Sequence, residues 1–143
     1  MSGIEESVEI NCPVEKAFAF MTDAGSWKKW NSIIPEAEQT SQGPVGVGTS
    51  FKGTSRLMGS TMKWTATATE YEPGRKFGKN INSGSVLIEQ HNTYNPIPGG
   101  LRFTIAYDVK VNGFLKLFSP MIVGSMRKEL HKSLVNLKQI LEA

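Results

Sequence analysis

Residues 11–30 read Asn-Cys-Pro-Val-Glu-Lys-Ala-Phe-Ala-Phe-Met-Thr-Asp-Ala-Gly-Ser-Trp-Lys-Lys-Trp, and the order of events in this stretch decides the architecture. Before it, residues 4–10 form a strand-like run that stops at Asn11 and Pro13; proline cannot donate to a strand ladder. A short helical pattern follows, with Phe18 and Met21 apolar, until Asp23 and Gly25 break it. Trp27 and Trp30 then mark a short second helix. Almost everything after it reads as strand, up to one long final helix.

From residue 42 onward, turn residues recur at steady intervals: Gly43-Pro44 to Gly48, Gly59-Ser60, Pro73-Gly74, Asn82-Ser83-Gly84, Pro96 to Gly100, and Asn112-Gly113. The segments between them are rich in Thr, Val, Ile, Tyr, Phe and Trp, as antiparallel strands joined by short turns require. Leu101, Phe103, Ile105, Tyr107, Val109 and Val111 alternate with Arg102, Thr104, Asp108 and Lys110. Such a strand has one buried and one wet face. Met62, Trp64, Ala66 and Ala68 alternate with Lys63, Thr65, Thr67 and Thr69 in another. The expected set is one strand before the helices and six after.

The period changes near the C-terminus. Ile122, Met126, Leu130, Leu134, Leu137 and Leu141 recur at three or four residues, predicting an amphipathic helix over Ser119–Glu142. Ser119 is expected as its N-cap and Pro120 in its first turn. Residues 113–118 read as a preceding helical turn.

A curved antiparallel sheet must cover its apolar face. Two short helices and one long one cannot fill the concave side of seven strands, so an internal cavity lined by aromatics and methionines is expected. The predicted class is α+β: a curved seven-stranded antiparallel sheet (β-α-α-β6-α) wrapped round a long C-terminal helix.

With 143 residues, 39% hydrophobic and 20% charged, the chain has the composition of one globular domain over residues 1–143 and not of a disordered segment. Cys12 is the only cysteine, which excludes a disulfide framework. Glu5 and Glu6 stand where a secretory signal would be basic then apolar, and no run reaches the roughly 18–20 apolar residues of a membrane span. A cytoplasmic protein is expected. The net charge of +3 comes from basic residues scattered from Lys28 to Lys138. These, including Lys52, Arg56, Lys63 and Lys79, read as a solvated surface, without the clustering a nucleic-acid interface needs. The charge leaves room for transient contact with acidic lipid headgroups.

The order strand, two short helices, six-strand meander, long helix resembles the helix-grip fold of the START and birch-pollen-allergen (SRPBCC) superfamily. Within it, the closest likeness is to the polyketide cyclase/dehydrase and lipid-transport branch. The matching residues are Cys12-Pro13-Val14-Glu15-Lys16-Ala17-Phe18, then Thr22-Asp23 with Trp27 and Trp30. Gly46-Val47-Gly48-Thr49, Glu70-Tyr71-Glu72-Pro73-Gly74-Arg75, Pro98-Gly99-Gly100-Leu101-Arg102 and Leu137-Lys138 complete them. The pattern covers essentially the whole chain, but its motifs are mostly turn chemistry and transfer no catalytic residue. The resemblance implies binding of a hydrophobic ligand such as a lipid, sterol or polyketide, with enzymatic activity in only some members.

His91 and His131 lie far apart, without the short spacings of zinc or iron ligands; no metal and no cofactor is expected. A phosphate-binding loop with its lysine and a Gly-x-Ser-x-Gly elbow are also missing. His91 sits mid-strand, where alternation leaves open which side faces in. Turned inward it is a general acid or base in an apolar pocket; turned outward it is a hydrogen-bonded surface residue. Tyr107 sits on an apolar face and points inward, whereas Arg56 shares a side with Lys52 and is expected in solvent. The resemblance implies an arginine and tyrosines in the pocket of cyclising members, but no local motif identifies them here; the catalytic candidates are His91, Tyr107 and Arg56. The expected ligand-binding residues are Trp30, Trp64, His91, Phe103, Tyr107, Phe114, Phe118, Met121 and Met126. Trp30, Trp64, Phe114, Phe118, Met121 and Met126 have a plain alternative as core or lid packing.

The expected function is binding or transport of a hydrophobic small molecule by a monomer or weak dimer. The alternatives are a polyketide aromatase/cyclase or dehydratase using general acid–base groups, and a partner-binding protein with a vestigial cavity. In a meander, alternate turns share one end of the sheet. That end gathers residues 31–34, 58–61, 82–85 and 111–114, with Ile33, Met58, Phe114 and Leu117 as out-of-place apolar residues. They mark a portal or docking rim, or else cap the core beneath the helical turn.

Overall fold

The computed structural model describes residues 2–143. The order is β1 (Ser2–Ile10), α1 (Val14–Thr22), α2 (Ala24–Trp30), β2 (Glu36–Gln39), β3 (Ser50–Leu57), β4 (Ser60–Glu72), β5 (Lys76–Ser83), β6 (Val86–Ile97), β7 (Gly100–Val111), a 3-10 turn (Gly113–Phe118) and α3 (Ser119–Glu142). The strands form one antiparallel seven-stranded sheet in the order β1-β7-β6-β5-β4-β3-β2. The meander β2 to β7 is joined by β1, which pairs with β7 from Ser2↔Val109 to Ile10↔Leu101. The sheet therefore stays open, with β1 and the four-residue β2 at its edges.

The helices take up the concave face. Proline at 13 precedes α1, and Asp23 ends it in extended conformation (φ −89°, ψ 111°). The same Asp23 caps α2, its Oδ1 accepting from the Gly25 N–H at 3.2 Å. The buried Trp27 indole donates Nε1–H to the Met21 carbonyl at 2.7 Å, which locks the two short helices together. Beyond α2, the Ser32 N–H donates to Ser133 Oγ of α3 at 3.0 Å, fixing the exit of α2 against the long helix.

On α3 the buried stripe is Ile122, Val123, Met126, Leu130, Ser133, Leu134, Leu137 and Leu141, a 3.6-residue period facing the sheet. Its N-terminus corrects one expectation. Ser119 is already helical (φ −51°, ψ −47°), Phe118 holds the cap position, and no side-chain cap is made. The continuous 3-10 turn leads straight into the helix, so serine is not in the extended conformation that a capping hydroxyl needs. Aromatic rings close the end of the concave face below α1: Phe18, Tyr94 and Phe103 stack edge-on or tilted at 5.1 Å.

Gly53 on β3 is held to glycine by its neighbours. A Cβ there would collide with the Glu36 carbonyl and lie 2.6 Å from Trp64 Cζ2, so the missing side chain lets the Trp64 indole lie across the strand. Gly53→Ala is expected to cost about 1–3 kcal/mol through overpacking. That would appear as a drop of roughly 3–10 °C in thermal midpoint; an unchanged midpoint would show that this close approach is not fixed.

Candidate functional site

A cavity of about 180 Å³ lies between the concave sheet and α3. Register explains its floor. Ala68, Lys79, Gln90 and Tyr107 stand opposite one another across β4, β5, β6 and β7, and all four are buried. The next row toward the turns, Ala66, Ile81, Ile88 and Val109, is apolar. Because side chains alternate with period two, both rows face the helices. The deep row therefore supplies an amine, an amide and a phenol, and the row above it supplies methyl groups. Ile122 and Met126 of α3 form the roof, and Asn31 at the end of α2 adds a second amide.

The mouth lies where the meander's turns converge. Ile33, Met58, Ser60, Ser83 and Leu115 line the cavity there, and Met58 is 53% exposed. The β3–β4 turn holds Met58 at φ 53° and Gly59 at φ 80°, the pair of positive angles of a tight hairpin turn. A methionine in that region carries a steric cost that glycine would not, and it presents its side chain at the opening. Phe114 and Leu117, outside the lining, are 76% and 78% exposed.

Lys79 is the decisive side chain. It is 4% exposed, and its Nζ sits 3.5 Å from the centroid of the Trp27 ring. No hydrogen bond or ion pair reaches that nitrogen among the described residues. Burial alone pulls its pKa down from 10.5 to about 7, since desolvation disfavours the charged amine. Burial also pushes the Tyr107 hydroxyl up to about 12, partly countered by Asn31, so the phenol remains a proton donor at neutral pH. Gln90 Nε2 donates to Asn92 Oδ1 at 3.0 Å, which orients the amide pair deep in the floor. Trp30 Nε1 is buried with no hydrogen-bond partner among the described residues.

The structure sorts the residues predicted from sequence into three groups. Trp64, Tyr107 and Met126 line the cavity. Trp30 and Phe103 are buried outside that lining: Trp30 flanks an adjoining interior gap of about 10 Å³ that shares Lys79 and Gln90 with the cavity, and Phe103 packs on Tyr94. Phe114, Phe118 and Met121 stand on the outside, 76%, 40% and 59% exposed, because the 3-10 turn and the first turn of α3 project past the sheet's end.

His91 requires a correction. It faces outward, away from the cavity, with Nδ1 2.6 Å from Glu70 Oε1 and Nε2 3.0 Å from Glu89 Oε1. The hydrogen bond that the ring donates to Glu70 raises its pKa against partial burial, with Glu89 adding to it. Arg56 is exposed, with its backbone N–H donating to the Ile33 carbonyl at 2.7 Å. The Cys12 thiol, buried, has its pKa raised mainly by desolvation, which makes it a poor nucleophile.

Lys79 also departs from expectation, lying in the interior and not on the solvated basic surface. The sequence carries a signal for this: Phe77, Lys79 and Ile81 alternate with Gly78, Asn80 and Asn82, which places the lysine on the apolar face of β5. Gln90 carries a weaker signal, since Ile88 precedes it but the polar Asn92 follows it on the same face of β6, and that alternation does not set the side. Asn31 has no such signal, because its position depends on how α2 docks.

A sheet curved round one long helix, with a lined cavity between them, is a helix-grip protein. The chain belongs to the polyketide cyclase/dehydrase and lipid transport family, whose profile matches residues 1–142. Its fold is similar to that of the Zhui aromatase/cyclase from Streptomyces sp. R1128, with a TM-score of 0.83 at 11% identity over 99% of this chain and 93% of that one. A START superfamily protein from Mycobacterium smegmatis gives 0.80 at 15% identity over 97% and 98%. A protein from Thermus thermophilus gives 0.83 at 15% over 98% and 97%. At such identities the likeness is one of fold. No curated protein is similar enough in sequence to count as a relative. Among the described residues, no helix is long and apolar enough to cross a membrane, and no cluster of three or more His, Cys, Asp or Glu could hold a metal.

Proposed function

We propose that this protein binds a compact hydrophobic molecule in the cavity, apolar body toward the mouth and one polar group against Lys79, Gln90 and Tyr107. The observation that carries this reading is the layered lining, a polar row at the bottom and methyl groups above it. The volume of about 180 Å³ compares with the roughly 150 Å³ apolar cavity that accepts benzene. It suits one small ring system or a short chain, and a longer ligand extends through the mouth. Phe114, Leu117 and Met58 form an apolar rim there, and exposed apolar patches are where ligands and lipid surfaces are met. The protein works as a cytoplasmic carrier, as a monomer or weak dimer, touching membranes transiently. A second reading, an aromatase/cyclase or dehydratase, is favoured by the amine and phenol sharing one row, since a pair with displaced pKa values can exchange protons with a bound substrate.

Titration with the neutral fluorophore N-phenyl-1-naphthylamine tests the binding. Wild type is expected to enhance its emission, and Ile88→Trp, which fills the cavity, to weaken binding by about tenfold or more, near 1.4 kcal/mol. Leu117→Asp is expected to slow uptake with the thermal midpoint nearly unchanged, because the site is exposed. Equal binding by wild type and Ile88→Trp, or none by wild type, would remove the cavity as the site.

A further inference from the structure

Lys79 has a chemical capacity that simple binding leaves unused. Its side chain is buried and lines an apolar cavity that a small molecule can enter, and among the described residues no carboxylate, carbonyl or hydroxyl holds its nitrogen. The Trp27 ring face, 3.5 Å away, fixes its position. We propose that Lys79 forms a reversible imine with an aldehyde or ketone group on the ligand; this rests on the cavity being the binding site.

Three features support it. An amine with its pKa at about 7 is about half neutral at neutral pH, and the neutral amine is the nucleophile. A desolvated lysine in an apolar pocket is also the environment in which such amines are activated. Tyr107 stands in the same row, two strands away, about 10 Å between Cα atoms. Gln90 stands between them in the row, and all three side chains line the one cavity.

The competing ligand for a buried lysine is a carboxylate. To enter this cavity an anion must shed its hydration, which is costly unless well compensated, and the lining offers no second cation. A carbonyl enters uncharged at much smaller cost.

The step balances as follows. The Nζ lone pair forms the C–N bond while the carbonyl π bond breaks toward oxygen. A proton from nitrogen passes to that oxygen, giving a carbinolamine. The C–O bond then breaks, the second N–H proton ends on the departing oxygen, and water leaves the C=N product. Both hydrogens of the water come from the amine, and no oxidant or reductant is consumed. Tyr107, kept protonated by burial, is a positioning residue that donates a hydrogen bond to the oxygen as charge develops on it.

The test uses 4-methoxybenzaldehyde with sodium cyanoborohydride, followed by peptide mass spectrometry. The expected result is reduction-trapped aldehyde on Lys79 ahead of the surface lysines, with yield rising through about pH 7 and no such adduct in Lys79→Met. Tyr107→Phe should slow trapping roughly tenfold or more without moving the site of the adduct. In parallel, the aldehyde and 4-methoxybenzoate are each competed against N-phenyl-1-naphthylamine. If the aldehyde displaces the probe but Lys79 stays unmodified, the imine is excluded while the binding site stands. If benzoate displaces the probe better than the aldehyde and Lys79 is unmodified, the lysine is an anion receptor and the proposal fails. If wild type binds neither probe nor aldehyde and Lys79 is not labelled, the binding site and the imine fall together.

Discussion

Lys79→Met is expected to make the protein markedly more stable at pH 6, with the gain vanishing as the pH approaches 10.5. In the unfolded chain the amine keeps its proton up to about 10.5, whereas in the folded chain it does so only below about 7. Between these values the unfolded state binds more protons, so stability rises with pH across that window. Below about pH 7 the fold carries the whole cost of burying the charge. At about 1.4 kcal/mol per pH unit, the distance from 10.5 to about 7 sets that cost at roughly 5 kcal/mol at most, and the Trp27 ring face 3.5 Å from the nitrogen offsets part of it. Methionine has similar length and no charge, so Lys79→Met should raise the thermal midpoint by about 10 °C or more at pH 6 and by little at pH 10. Thermal melts at the two pH values check this. A gain of the same size at both, or none at pH 6, would show that the amine is not an uncompensated buried charge.

The second large effect lies on the long helix. Leu130, 1% exposed, sits mid-stripe on α3 where the helix packs on the sheet. Leu130→Asp places a carboxylate where no cation can reach it, a change that costs several kcal/mol or forces the group neutral. Loss of the cooperative thermal transition is expected, followed by circular dichroism. Val135→Asp, on the same helix but at a position 46% exposed, should leave the transition within a few degrees. If Leu130→Asp melts like wild type, the packing of α3 in the concave sheet cannot be what holds the fold.

Both effects bear on how far the chain can be read unaided. The element order, the seven strands and the long helix follow from turn spacing and from a period that shifts from two to 3.6, signals that local residues carry. Trp64, Tyr107 and Met126 can be placed in the cavity because each lies in a clean alternation or helical stripe. His91 cannot be oriented from its own strand. Its side is set by cross-strand neighbours, where Glu70 reaches it past Gly78: a Cβ on that glycine would lie 2.6 Å from Glu70 Oε1. Lys79 defeats the reading for a different reason, since a charge on an apolar face contradicts the ordinary cost of burial. Phe114, Phe118 and Met121 are expected inside because they are large and apolar, while the direction in which the 3-10 turn projects is a tertiary property.

The convergence of four separate loops at the mouth, above a floor set by strand pairing, has an evolutionary consequence. The deep row is held by the registry of four strands, so shifting one of them by a residue would turn its whole side-chain set to the other face. Loops tolerate substitution and insertion far better than the elements they join. The two halves of the pocket are therefore under unequal constraint. Descendants of such a chain can exchange one guest for another by editing residues 31–34, 58–61, 82–85 and 111–118, while the amine, amide and phenol below are inherited intact. Divergence in this protein's lineage should accordingly be fastest at the rim and slowest along the row that runs from Ala68 to Tyr107.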